Sequence, residues 1–149
     1  MNEYRTYTCN TIREKNVGEH IKLAGWIQTI RDLGGVIFID LRDQYGITQI
    51  VASGNEELVD FATRIPIEST ISVEGTVRLR SEDTINEKLD TGLVELFAEK
   101  IEILGKRTKQ LPFEIESSRD VREDLRLQYR FLDLRNEKLK NNLILRAKV

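Results

Sequence analysis

Cysteine and histidine are nearly absent from this sequence of 149 residues, in which Cys9 and His20 are the single residues of each type. A disulfide needs two cysteines, and a zinc cluster needs several cysteine or histidine ligands, so one chain offers neither. We therefore interpret Cys9 and His20 as packing or surface residues, and we expect no metal site.

Long apolar runs are absent as well, because no stretch approaches the roughly 20 apolar residues that a membrane-spanning helix needs. Residues 1–7 lack the apolar core of a secretory signal. The composition, 40% hydrophobic and 32% charged, is typical of a globular protein. The sequence thus predicts a cytoplasmic protein without a membrane partner.

An excess of positive charge is also missing from most of the chain. Residues 1–118 hold 14 Lys and Arg against 20 Asp and Glu, whereas residues 119–149 hold 9 against 5. Proteins that hold nucleic acid through bulk charge need a basic surface. Any contact of the first part with nucleic acid must therefore be made by a few well-placed side chains.

Five segments alternate between apolar and polar residues, as strands of a half-buried sheet do. The predicted strands span residues 21–32, 36–43, 47–53, 71–80 and 93–104. A helix is predicted between the third and fourth strands, because Leu58, Phe61 and Ile65 recur at helical spacing before Pro66. Ser53 and Glu56 have the spacing of a capping box for this helix.

This order of elements indicates a mainly β fold, a five-stranded OB-fold barrel with one helix between strands three and four. We assign residues 1–104 to the barrel domain, 105–118 to a linker and 119–149 to a short helical extension. The polar segment 81–92 is long for a loop of a compact domain, and such segments are usually functional or disordered. In an OB-fold the second and third strands face the ligand.

The predicted hairpin at residues 35–51 carries an aromatic ring beside charges. One face of its first strand is apolar, and the opposite face, expected to meet solvent, holds Phe38, Asp40 and Arg42. Phe38 either stacks on a nucleic-acid base or packs against a neighbouring strand. Asp40 and Arg42 either contact the ligand or form ion pairs with each other or with neighbours. Strand four similarly predicts two exposed arginines, Arg78 and Arg80.

Seven short segments identify a family when their order and spacing are taken together. They are Gly25-Trp26, 31–35, 36–43, 75–78, Ile85-Asn86, Thr91-Gly92 and 129–135. With them the chain resembles the N-terminal anticodon-binding domain of bacterial-type aspartyl-tRNA synthetases, which are class II enzymes. The last segment is shared with the asparagine and lysine enzymes, while Ile85-Asn86 together with Thr91-Gly92 favours aspartate.

The resemblance implies that the barrel holds the anticodon loop of tRNA(Asp) with its bases splayed out. Phe38 matches an aromatic residue that stacks on the central uracil, and Gln49 one that hydrogen-bonds the edge of that base. Glu95 matches a reader of the first anticodon base, and Arg31 a contact to the loop backbone. Further positions near the outer bases are Arg78, Arg80 and Asn86.

Two more positions concern discrimination between tRNAs. With leucine at position 33 (Leu33), the chain resembles enzymes that charge only tRNA(Asp). A histidine at this position often accompanies enzymes that also accept tRNA(Asn). Asp83 is assigned to the same task.

For a full-length parent the resemblance implies ATP-dependent and Mg²⁺-dependent formation of aspartyl-adenylate from L-aspartate, followed by transfer to the tRNA 3′ end. Its catalytic residues are expected beyond Val149, so residues 119–149 are the hinge and the start of a missing catalytic domain. The fragment is expected to be non-catalytic and to need no cofactor. The parent is expected to be a homodimer, whereas the fragment can be a monomer.

Two alternatives stay open. The first is the anticodon domain of an asparagine or lysine synthetase. The second is a stand-alone OB-fold module that binds single strands without sequence preference, which would need a basic groove and several stacking aromatics.

Overall fold

The computed structural model describes residues 3–149, and five strands close into a barrel. Their bounds are β1 His20–Asp32, β2 Ile37–Arg42, β3 Ile47–Ala52, β4 Thr70–Leu79 and β5 Val94–Gly105. The strands follow the order β1-β2-β3-β5-β4, and β4 pairs with β1 to complete the closure. This confirms the predicted mainly β fold with a five-stranded barrel and a helix between strands three and four.

The interior of the barrel is filled by branched aliphatic side chains, because successive strand residues point to opposite faces. Gly75 on β4 lets the backbone of β5 approach closely, since a Cβ atom there would collide with the carbonyl oxygen of Phe97. Fully buried members of the core include Leu23, Ile27, Ile37, Ile39, Leu41, Ile50, Ile71, Val73, Val77 and Leu96.

Strand register places two rows of side chains on the outer face of β2, β3, β5 and β4. On β2 and β5 these residues alternate with the buried ones, and strand pairing places their β3 and β4 partners on the same face, although β3 is buried from Thr48 onwards. The first outer row consists of Phe38, Val51, Phe97 and Thr76. The second outer row consists of Asp40, Gln49, Glu95 and Arg78.

The helix after β3 is α1, Glu56–Thr63, and its predicted capping box is wrong. The side chain of Asn55 caps the helix by accepting hydrogen bonds from the backbone N–H groups of Glu57 and Leu58. Asn is among the best N-cap residues, and its position directly before the first helical turn leaves Ser53 outside the cap.

Residues up to Arg107 form one compact unit, and Thr108–Val149 form a second one. The second unit contains three helices, α2 Glu123–Gln128, α3 Arg130–Asp133 and α4 Glu137–Lys148. As a cap of α4, Asn136 accepts a hydrogen bond from the N–H of Leu139.

A small apolar cluster of Phe113, Ile115 and Leu132 holds this second unit together. The amide of Asn136 supports it by donating to the carbonyl oxygen of Ile115 at 2.9 Å. The segment predicted as a linker, 105–118, therefore contains packed residues, and its first residue still belongs to β5. Within the described residues, no helix is long and apolar enough to cross a membrane.

Candidate nucleic-acid interface

A groove of about 440 Å³ opens on the barrel surface between the β2–β3 hairpin and the segment 81–92. Ile47, Gln28 and Asp40 contribute to its walls. Seven of the nine predicted site residues also line it, namely Arg31, Leu33, Phe38, Gln49, Arg80, Asp83 and Asn86. The other two, Arg78 and Glu95, lie in the second outer row and outside the groove lining.

The segment 81–92, predicted to be functional or disordered, is an ordered wall of the groove. A 3₁₀ turn at Glu82–Thr84 begins it. The N–H of Asn86 donates to the carbonyl oxygen of Gly92 at 3.1 Å, and Thr91 Oγ1 donates to the carbonyl oxygen of Ile47 at 2.6 Å. Only glycine fits at position 92, because a Cβ atom there would collide with the Asn86 carbonyl oxygen.

Arg80 is buried at the base of this wall, which corrects the prediction that it is exposed. The residue lies after the end of β4, where the segment 81–92 covers it, so only 7% of its surface is accessible. Its Nε donates to the Val94 carbonyl oxygen at 3.0 Å, and its Nη1 donates to Gln49 Oε1 and to the Thr84 carbonyl oxygen, each at 3.2 Å. Its Nη2 is buried and has no hydrogen-bond partner within residues 3–149.

Gln49 is held between two charged side chains. Its Oε1 accepts from Arg80, and its Nε2 donates to Glu95 Oε2 at 2.8 Å. These two bonds fix which end of the carboxamide carries the acceptor, although Gln49 is only 4% exposed. One Nε2 hydrogen and one Oε1 lone pair stay available for a further partner.

Burial disturbs the ionisation of both charged neighbours of Gln49. The pKa of Arg80 is lowered chiefly by burial, and the charge of Glu95 opposes that change. The pKa of Glu95 is raised chiefly by burial, while the hydrogen bond from Gln49 and the charge of Arg80 act in the opposite direction. The pair is thus mutually dependent, because each partner stabilises the charged form of the other.

Phe38 lies half-buried at the groove, and its strand neighbours are Arg31 on β1 and Val51 on β3. No other aromatic ring of the described chain stacks on Phe38. Arg31 extends into solvent with 53% of its side chain exposed, and its Nη2 donates to Asp40 Oδ1 at 3.2 Å. Asp40 also accepts a hydrogen bond from Thr29 Oγ1 at 2.5 Å. Because this bond fixes the carboxylate, Asp40 can orient Arg31.

Arg42 was expected on the solvent side with Phe38 and is instead 8% exposed. Its Nη2 donates to both carboxylate oxygens of Glu68, at 2.7 and 2.9 Å, and its guanidinium lies 6.0 Å from the ring centre of Trp26. Arg42 and Asp40 therefore pair with neighbours and not with each other. The alternation of β2 correctly predicts which residues share a face. It does not show that Glu68, which follows α1, covers Arg42.

The remaining predicted residues have simpler surroundings. Leu33 is 67% exposed at the β1–β2 turn. Asp83 is exposed on the 3₁₀ turn, and Asn86 Oδ1 accepts from the N–H of Lys88 at 3.1 Å. The ion pairs and hydrogen bonds of the groove thus involve both charge signs, as the modest net charge of the sequence indicates.

Phe97 is a candidate functional residue that the sequence reasoning missed. Its ring lies under the guanidinium of Arg78, with 3.6 Å between the guanidinium carbon and the ring centre. The alternation of β5 would have placed Phe97 on the outer face, but only the register shows that it shares a row with Phe38.

No three His, Cys, Asp or Glu side chains within residues 3–149 are grouped in a way that could hold a metal ion. Cys9 is buried, and burial raises the pKa of its thiol well above the ordinary value. What the groove offers is therefore a ring, a fixed carboxamide and arginine donors, a set suited to nucleobases.

Comparison with known proteins agrees with this chemistry. Residues 21–104 match a tRNA anticodon family described as an OB-fold nucleic acid binding domain. The match covers more than half of the chain, which therefore belongs to this family of OB-fold nucleic acid binding domains.

Similar proteins indicate which kind of nucleic-acid-binding domain the chain resembles. The aspartate–tRNA(Asp/Asn) ligase of Rickettsia prowazekii (strain Madrid E) is 51% identical over 150 residues, which is 100% of this chain and 25% of that protein. The crystal structure of a putative aspartyl-tRNA synthetase from Leishmania major Friedlin superposes with a TM-score of 0.78 at 26% identity, covering 91% of this chain and 29% of the other. Asparaginyl-tRNA synthetase from Pyrococcus horikoshii gives 0.73 at 28% identity, covering 95% and 33%.

These matches confirm the predicted resemblance: the chain is an OB-fold nucleic acid binding domain, and over its whole length it is similar to part of bacterial aspartate–tRNA ligases. It spans about a quarter of the length of the curated relatives it matches. The matches do not test the roles of individual site residues, which stay predictions.

Proposed function

We propose that this chain is the part of a longer aspartate–tRNA ligase that holds the anticodon loop of tRNA(Asp) in the groove beside Phe38 and Gln49. The observation that carries the proposal is the Nη2 group of Arg80. It is buried, has no partner in the described chain and belongs to a residue that lines the groove. A buried donor without a partner is unfavourable by about 1–3 kcal/mol, so a ligand acceptor that pairs with it would bind more tightly.

The groove chemistry fits a splayed-out pyrimidine. Phe38 would stack on the base, and stacking on an aromatic side chain contributes about 1–3 kcal/mol. The free donor and acceptor of Gln49 would pair with the base edge, because its carboxamide is already oriented by Arg80 and Glu95. Arg31 would contact the loop backbone. Recognition then rests on few contacts and has a shallow salt dependence.

For the full-length protein we propose formation of an aspartyl-adenylate from L-aspartate and ATP with Mg²⁺, then transfer to the tRNA 3′ end. No acidic or histidine cluster within residues 3–149 fits the metal, so none of these residues is assigned to that chemistry. A homodimer of the full-length protein and a cytoplasmic location stay predictions.

Charging of tRNA(Asn) is a second candidate activity of the full-length protein. The printed names of the bacterial relatives include both tRNA(Asp) and tRNA(Asn). The resemblance at Leu33 instead favours tRNA(Asp) alone, with Asp83 as a further discriminating position. Aspartylation of purified tRNA(Asn) by the full-length enzyme separates the two, and efficient aspartylation would contradict the Leu33 prediction.

The groove is tested by binding of an RNA stem-loop that carries the aspartate anticodon. Phe38→Ala and Gln49→Ala are each expected to weaken binding by at least about 1 kcal/mol in isothermal titration calorimetry, because each removes a contact to the central base. Phe61→Ala is the matched control, since Phe61 is also a partly exposed phenylalanine, on α1 and outside the groove lining. Equal affinity for a loop with a changed central base would contradict the proposal.

A further inference from the structure

The outer face of the barrel continues past the groove to a second aromatic residue. Phe38 and Phe97 belong to the first outer row, with Val51 between them. Two strand spacings separate their strands, a distance of about 10 Å. A single base cannot stack on both rings at this distance, so a base bound near Phe97 would belong to a different nucleotide from the one at Phe38.

The face of the Phe97 ring is already covered by Arg78. The guanidinium carbon lies 3.6 Å from the ring centre, a short cation–π contact. Arg78 is exposed, and within residues 3–149 its guanidinium makes no hydrogen bond or ion pair. The ring thus supports the guanidinium on one side, and the N–H donors of the guanidinium have no hydrogen-bond partner within residues 3–149, while the carboxylates of Glu95 and Glu99 interact with its charge.

An arginine plane held in this way is a stacking surface for RNA bases, because a guanidinium can stack on a nucleobase as an aromatic ring does. Lysine cannot replace it, since an ammonium group has no plane. Arg78 also neighbours Glu95, the partner of Gln49, so this surface is continuous with the groove.

We propose that Phe97 is a positioning residue that holds the Arg78 guanidinium flat as a stacking surface for a second nucleobase of the RNA loop bound in the groove. The proposal deepens the function proposed above and rests on it. It gives a geometry to the contact already predicted for Arg78 near the outer bases, and it gives Phe97 a role that ordinary strand packing would not.

The test measures binding of the 149-residue chain to the aspartate anticodon stem-loop by calorimetry. Phe97→Leu keeps an apolar side chain without a ring, and Arg78→Lys keeps the charge without a plane. Each is expected to weaken binding about twofold to fivefold, the size of an exposed cation–π contact. Phe97→Tyr restores the ring and is expected to bind as the unaltered chain does.

A double-mutant cycle separates positioning from mere packing. Because Phe97 acts through Arg78, the double variant Phe97→Leu with Arg78→Lys is expected to bind about as weakly as either single variant. The salt dependence of binding is expected to be unchanged in Phe97→Leu, since no charge is lost. Additive losses of affinity in the cycle would overturn the proposal.

Stem-loops with one abasic nucleotide at each loop position locate the base. At one position other than the central base, removal of the base is expected to abolish the effect of Arg78→Lys. If Phe38→Ala weakens binding but Phe97→Leu does not, the positioning role is overturned and the proposed function stands. If the unaltered chain does not bind the stem-loop, both are overturned.

Discussion

Two polar networks lie on the same barrel and differ in how far they are removed from water. The groove network joins Arg80, Gln49 and Glu95, of which Arg80 and Gln49 are 7% and 4% exposed. The second network, which we name the His20 patch, consists of His20, Lys22, Glu74 and Glu99 on β1, β4 and β5. Its side chains are between 30% and 50% exposed.

The contacts of the two networks are similar in kind. His20 Nε2 lies 3.3 Å from Glu99 Oε2, and Lys22 Nζ lies 3.4 Å from Glu74 Oε2. Water and salt screen such exposed pairs, so each contributes little to stability. In the groove the same types of group are covered, and a missing partner there is unfavourable. Burial, more than the residue types, thus distinguishes the groove network from the solvated His20 patch.

The largest expected effect in this comparison comes from Arg80→Ala. The substitution leaves the oxygens of Gln49, Thr84 and Val94 without their donor, so we expect the free energy of unfolding to fall by about 1–3 kcal/mol. Chemical denaturation measures the loss, and calorimetry with the anticodon stem-loop measures the accompanying loss of affinity. An effect no larger than that of Lys22→Ala in the His20 patch would erase the proposed difference between the networks.

A pH series should give opposite signs in the two networks. The pKa of Glu95 is raised, chiefly by burial, so the folded state takes up its proton more readily than the unfolded state. Stability from this group is present below the unfolded pKa and is lost as pH rises through the folded pKa. Relative to Glu95→Gln, the unaltered chain should lose stability as the pH rises from the ordinary carboxyl range through the raised pKa of folded Glu95.

The matched control is Glu99→Gln. The pKa of Glu99 is lowered, chiefly by the hydrogen bond from Thr76, with the charge of His20 adding to it. This carboxylate contributes stability above its unfolded pKa, and the contribution is lost as pH falls through the folded pKa. Denaturation curves of the two variants at the same pH values should therefore diverge in opposite directions from the unaltered chain. Parallel curves would contradict the assigned causes.

The smallest expected effect is the coupling between Lys22 and Glu74. A double-mutant cycle with alanine at both positions should give a coupling of about 0.5 kcal/mol or less, and added salt should reduce it further. The same cycle on Gln49 and Arg80 should give a larger coupling that resists salt, because that hydrogen bond is buried. Equal couplings would show that burial does not separate the networks.

The strands were predictable because their alternation is imposed by one apolar face, as in β2 with Ile37, Ile39 and Leu41. The N-cap of α1 was not, since Ser53 and Asn55 both have capping side chains and backbone geometry decides between them. The packing of Phe113 and Ile115 was hidden because the segment around them has no periodicity.

The site was predictable in its membership more than in its environment. Seven of the nine predicted residues line one groove, and the resemblance supplied them before any geometry was known. The burial of Arg42 and Arg80 was not predicted, because Arg42 is covered by Glu68 beyond α1 and Arg80 by the segment 81–92 folded back over it, and these are contacts that no alternation pattern shows. Phe97 was missed for the same reason, since its nearness to Phe38 depends on the pairing of β3 with β5.

The sequence by itself determined the barrel, the family and the residue types available for a nucleobase, because local alternation and short ordered motifs are written in the chain order. Only the tertiary structure decided which polar side chains are buried, which carboxylate pairs with which arginine and which aromatic rings share a row. Those properties arise from contacts between residues far apart in sequence, as between Gln49 and Glu95, and no local pattern encodes them.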